Sequence, residues 1–109
     1  MINDILTAAG FVLGDSYKRS RFPSPPTGTY AVYMDDVTAD GPDGINCIFT
    51  HDITVELYEA EPDDAKEAAL EAALDAAGLA WSKQDRYWLQ DVQRYQVIYE
   101  FTYITKRRA

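Results

Sequence analysis

Cys47 and His51 are the residue types from which a nucleophile and its base could be built. They lie four positions apart in an apolar, β-branched stretch that reads as extended chain. Four residues of strand span roughly 13 Å, because the rise is about 3.3 Å per residue. A nucleophile and its base need hydrogen-bond reach, about 3 Å. The spacing therefore puts both side chains on one face but out of contact. A partly buried thiol and a surface imidazole account for them, and a hydrolase built on this pair is a third-rank hypothesis. Asp35, Asp36, Asp40 and Asp43 raise a metal reading, since calcium loops use closely spaced oxygen ligands around a glycine turn. The run Asp40-Gly-Pro-Asp-Gly44 lacks the alternating carboxylates and the closing glutamate of such loops. Glu56 and Glu100 could face each other across strands, but no apolar pocket is there to raise either pKa. Glycine-rich phosphate loops, G-x-S-x-G and paired C-x-x-C motifs are absent from the sequence. No catalytic residue, metal ligand or cofactor site is assigned.

Bulk properties narrow the partners. The chain has 109 residues, 47% of them hydrophobic and 13% aromatic, enough for one folded domain over 1–109. Its net charge of −8 repels phosphate backbones, so the surface as a whole does not suit nucleic acid. Thirteen of its acidic residues fall between Asp35 and Asp75, with Lys66 as the sole Lys or Arg among them. The cations gather at Lys18, Arg19 and Arg21 and at Lys106, Arg107 and Arg108. Separated patches of opposite sign suit head-to-tail stacking of copies or docking of a charged partner. The plainer account is a solvated surface. Eight tyrosines, each a large ring with one polar end, favour interfaces. A single cysteine excludes an intrachain disulfide and fits a reducing compartment. The N-terminus does not read as a signal peptide, and no stretch approaches the roughly 20 apolar residues of a membrane span.

The elements follow from periodicity. Ile2, Ile5, Leu6 and Ala9 recur at helical spacing, and Gly10 suits a left-handed stop. Phe11 to Leu13 reads as a brief strand. A proline loop over 14–28 holds Lys18, Arg19, Arg21 and Phe22, a cluster suited to an acidic partner surface, including the acidic band of a neighbouring copy. Thr29 to Met34 is a strand. Asp35 to Gly44 reads as a mobile hairpin loop because Asp, Gly and Pro dominate it. Ile45 to Tyr58 is a long strand. Glu61-Pro62 fits a helix start, with an apolar stripe of Ala65, Ala69, Leu70, Ala73, Leu74 and Ala77 ending at Gly78. Trp81 to Leu89 and Tyr95 to Tyr103 form a hairpin turning near Asp91-Val-Gln93. The row Tyr95, Tyr99, Phe101, Tyr103 is better explained by core packing than by base stacking, given the acidic surface. The expected fold is α+β in the order α-β-β-β-α-β-β, an antiparallel sheet of four to five strands with two α-helices on one face, and 105–109 frayed.

Several segments together resemble the small tail terminator, or tail completion, proteins of long-tailed phages and prophages. They are Pro25-Pro26 before Tyr30-Ala-Val-Tyr-Met-Asp-Asp36, then Ile53-Thr-Val-Glu-Leu-Tyr58, then Glu61-Pro62 with the acidic helix to Gly78, and finally Arg94-Tyr-Gln-Val-Ile-Tyr-Glu100. The resemblance covers nearly the whole chain and rests on the order and spacing of these motifs. The Ala-rich helix and the Arg-Arg-Ala end depart from it. It implies a structural virion protein without catalysis or cofactor, made in the bacterial cytoplasm and assembled as a hexameric ring in the tail or neck. Its partners would be the tail tube protein and a head-connector or neck protein, with DNA passing through unbound and no membrane involved. It also implies contact loops at Ser16 to Thr27 and at Asp35 to Gly44, with Asp35, Asp36, Asp40 and Asp43 facing a lumen or partner. A reading from another class is a small acidic protein-binding or regulatory module acting as monomer or dimer.

Overall fold

A computed structural model describes residues 1–41 and 48–106. The elements run α1 (Ile2–Ala8), β1 (Tyr17–Arg19), β2 (Tyr30–Asp40), β3 (Ile48–Glu59), α2 (Asp64–Ala76), β4 (Trp81–Lys83), β5 (Tyr87–Leu89) and β6 (Arg94–Lys106). They make an α+β fold with one six-stranded sheet in the order β1-β2-β3-β6-β4, and β5 also pairs with β6.

The core is dictated by alternation along the three long strands. The register sets Leu57 between Ala31 and Val97, Val55 between Tyr33 and Tyr99, and Ile53 beside Phe101. Side chains of one parity therefore share one face. Ile2, Ile5 and Leu6 of α1 and Leu70 and Leu74 of α2 close over that face, and all of these residues are buried. The aromatic row of β6 is thus core from Tyr99 to Tyr103. Gly10 takes φ +93° and Gly78 takes φ +73°, each stopping a helix where a side chain would be strained. The following residues, Phe11 and Leu79, return their N–H groups to Leu6 and Leu74, which satisfies the last carbonyls.

Several expectations are corrected. The sheet is mixed, because β1 runs parallel to β2 with Tyr17 opposite Ala31. Phe11 to Leu13 forms only a bridge, Leu13 to Tyr17; Phe11 is spent on the core instead of a ladder. The helix starts at Asp64 rather than at Pro62. Asp63 caps it by accepting from the Lys66 N–H at 3.1 Å, and Thr29 holds the same carboxylate at 2.6 Å. Ala65 and Ala77 are exposed, while Glu67 takes a buried place on the stripe. The strand foreseen at Trp81 to Leu89 splits into β4 and β5, because Arg86 between them turns inward to two carboxylates. The largest difference is at Asp35 to Asp40. These residues do not form a loop: β2 continues through them, paired with β3 as far as Asp40 opposite Ile48. A ladder partner of matching length outweighs the turn preference of three aspartates. Likewise β6 carries Thr105 and Lys106, expected to fray, in pairing with β3.

Candidate functional site

The outcome of those long strands is a three-stranded tongue. Burial along β2 ends after Met34 and Asp35, and every residue from Asp36 to Asp40 is exposed. On β6 the residues after Tyr103 are exposed too. The molecule measures 50 × 29 × 23 Å. Val37, Ile48 and Ile104 are exposed apolar residues near its tip.

The two faces of the tongue differ chemically. On the helix side His51 is the pin. Its Nδ1 lies 3.0 Å from both oxygens of Asp35 on β2, its Nε2 lies 2.9 Å from the Thr105 hydroxyl on β6, and its ring stacks on Tyr103 at 4.6 Å. One imidazole thus ties three strands together. The opposite face carries Asp36, Asp40, Asp52 and Glu100. Asp36 sits directly opposite Asp52, and Thr102 donates to Asp52 at 2.8 Å. This face is acidic, with Lys106 as its cation at the tip.

The residues singled out in the sequence therefore separate. Asp35 faces the helix side and is held by His51, whereas Asp36 and Asp40 lie on the acidic face; Asp43 falls outside the described residues. Lys18 and Arg19 lie on β1, and Arg21 is exposed just beyond it. Phe22 packs edge-on against Tyr30 at 5.4 Å, with Lys18 Nζ 5.9 Å from its ring, so the proline segment covers the acidic face at its base. Arg94 fastens that segment by donating to the Thr27 carbonyl at 3.1 Å. Lys106 ends β6; Arg107, Arg108 and Cys47 lie outside the described residues. The sequence reading missed the Asp35–His51 pair. The signal for it was the register of β2 on β3, which a loop assignment for Asp35 had removed.

A second charged cluster sits under α2. Glu59, at the end of β3, is fully buried. Its Oε1 accepts from Arg86 Nε at 3.2 Å, and the same guanidinium donates to Glu67. Lys83 lies 3.0 Å from Glu67 and 2.8 Å from Glu71, and the Tyr99 hydroxyl donates to Glu71 at 2.6 Å. Burial pushes Glu59 up to about 7, and its contact with Glu67 adds to the rise while Arg86 opposes it. Burial also acts to raise Glu67, but hydrogen bonds from Glu59, Lys83 and Arg86 outweigh it and hold Glu67 below its ordinary value. Because the folded value of Glu59 is raised, its contribution to stability is complete below the unfolded value of 4.5. It is lost as pH rises through about 7. Glu67 acts in the opposite sense, and its share is lost as pH falls through its lowered value. Glu59→Gln should therefore flatten the fall in stability between about pH 5.5 and 8. Urea unfolding at the two pH values checks this; an unchanged fall in the variant would show that Glu59 is not its source.

No family model matches the chain, and no curated protein matches it. Among solved structures, the chain is similar to one in the "Virion of native gene transfer agent (GTA) particle". The likeness has a TM-score of 0.61 at 16% identity and covers 94% of this chain and 84% of that one. At that identity it establishes the shared fold across nearly the whole length.

Proposed function

We propose that the protein is a structural subunit of a phage-like virion, a tail terminator whose ring caps the tail tube and joins it to the head connector. The observation that carries this reading is the fold likeness to a chain of a gene transfer agent virion over 94% of the residues. The motif resemblance to tail terminators points the same way from the sequence. In this reading the protein works by shape. Hexameric closure presents one face to the last layer of tube protein and the other to a neck protein. The acidic face carrying Asp36, Asp40, Asp52 and Glu100, with Asp43 nearby in sequence, borders the lumen and lets DNA pass by repulsion. Lys18, Arg19, Arg21 and Phe22 at the base, and Lys106, Arg107 and Arg108 at the end, supply contacts to neighbours. Asp35 is reserved for His51 and holds the tongue straight. The protein is made in the bacterial cytoplasm and ends in the tail or neck of the particle, without catalysis.

Immunogold labelling of particles from cells carrying the gene tests this reading. One label at the head–tail junction is expected, together with headless tails of uncontrolled length when the gene is deleted. Particles that lack the protein and form normally without it would sink the reading, and would favour a small acidic regulatory module instead.

A further inference from the structure

The tongue has two open edges, and their backbone groups can be assigned. On β2 the Ala31 N–H bonds to Ser16, and the Tyr33 carbonyl accepts from Ser20, so odd-numbered residues turn their N–H and C=O away from β3. Ser20 then takes φ +71° and leads the chain off, leaving Asp35, Val37 and Ala39 with outward groups that no strand covers among the described residues. On β6 the Ile98 carbonyl accepts from Gln84, so even-numbered residues face outward. Pairing with β4 stops at Phe101, which leaves Ile104 and Lys106 without a strand beside them among the described residues. A hollow of about 540 Å³ lined by Trp81, Glu100 and Thr102 begins where β4 stops. Uncovered edges of this length template strand addition.

Charge selects which edges meet. Pairing β2 with another β2 would set aspartates against aspartates, and pairing β6 with β6 would leave those aspartates without a counter-charge. Pairing β2 with β6 matches opposite signs. Topology sets the direction: β2 and β6 both run antiparallel to β3, so each runs toward the tip. Ile48 is opposite Asp40 on one side and Lys106 on the other, so Asp40 and Lys106 stand at the same level on the same face. We propose that the β2 edge of one copy pairs in parallel with the β6 edge of a second copy, Asp40 beside Lys106, so that one sheet runs from subunit to subunit. Such a contact is head-to-tail and leads to a ring when the rotation closes. This deepens the ring reading and rests on it for closure alone.

The test places cysteines at both positions. In a Cys47→Ser background, Asp40→Cys with Lys106→Cys should give a ladder of disulfide-linked multimers on oxidation, because neighbouring strands lie about 5 Å apart, within bridging range. Each single variant should give at least tenfold less. Val37→Pro, which removes one outward N–H from the open edge, should cut the ladder at least tenfold while the melting temperature stays within a degree or two. Oxidation is run on concentrated protein and on particles from cells making the double variant. Absence of the ladder in both, equal linking by a single variant, or indifference to Val37→Pro would overturn the proposal. A ladder from protein that particles do not contain would uphold the edge pairing and sink the virion reading. Labelled particles with no ladder from either sample would do the reverse.

Discussion

Arg86→Ala should destabilise the fold by about 3–5 kcal/mol, the loss seen when one partner of a buried ion pair is removed. The guanidinium serves Glu59 at 3.2 Å and donates to Glu67 as well. Both carboxylates are almost fully buried, so neither can turn to water when it leaves. Its third partner, Asp64, is exposed and adds little. A domain of this size has a total stability of about 5–15 kcal/mol, so the variant forfeits a large share of it. The loss should be smaller near pH 5.5 than at pH 8, because protonated Glu59 no longer needs a counter-charge. Combining Arg86→Met with Glu59→Gln and Glu67→Gln should recover most of the stability, since no charge is then stranded. Urea unfolding of the wild type, Arg86→Ala and the triple variant checks the set. A loss below about 1 kcal/mol for Arg86→Ala would mean that water or Lys83 replaces the guanidinium.

The second large effect is Leu70→Ala, expected to cost about 2–5 kcal/mol. Leu70 and Leu74 are the large apolar side chains α2 sends into the core, and both are fully buried. Their neighbours Ala69 and Ala73 pack against the same core but are too short to fill a vacated space. The sheet beneath, with Val55, Val97 and Tyr99 buried, is held by its ladder and cannot rise to meet the helix. The cavity therefore stays open, and the melting temperature should fall by about 10 °C or more. Ala65→Ser on the exposed side is the control, expected to change stability by less than about 0.5 kcal/mol. Calorimetry on both decides it; a small loss at Leu70 would show that α2 can shift inward.

Much of the scaffold was legible because local chemistry and tertiary packing agree there. The alternation from Tyr95 to Tyr103 and from Ile53 to Tyr58 needs one buried face, whatever covers it. Gly10 and Gly78 mark helix ends for a backbone reason that no neighbour can alter. Where the two disagree, the sequence misled. Asp35 to Asp40 has the composition of a turn, but a strand of equal length lies alongside, and pairing two edges satisfies more backbone groups than a loop would. Glu67 and Arg86 look like surface charges on a helix and within a continuous strand, yet folding brings them together with Glu59 from a distant strand.

The functional surface divides the same way. The uneven charge and the want of catalytic motifs were present in the residue order. Which aspartates share a face, which of them His51 holds, and which strand edges stay open depend on register. Register is set across strands by residues far apart in the chain, so a shift of one position would move every side chain to the other face. The sequence by itself determined the two helices and their stops, the apolar stretches of the three long strands and the acidic character. Only the tertiary structure decided that the acidic stretch is a straight, two-edged tongue, because β3 lies between β2 and β6 and gives each of them a ladder to extend along.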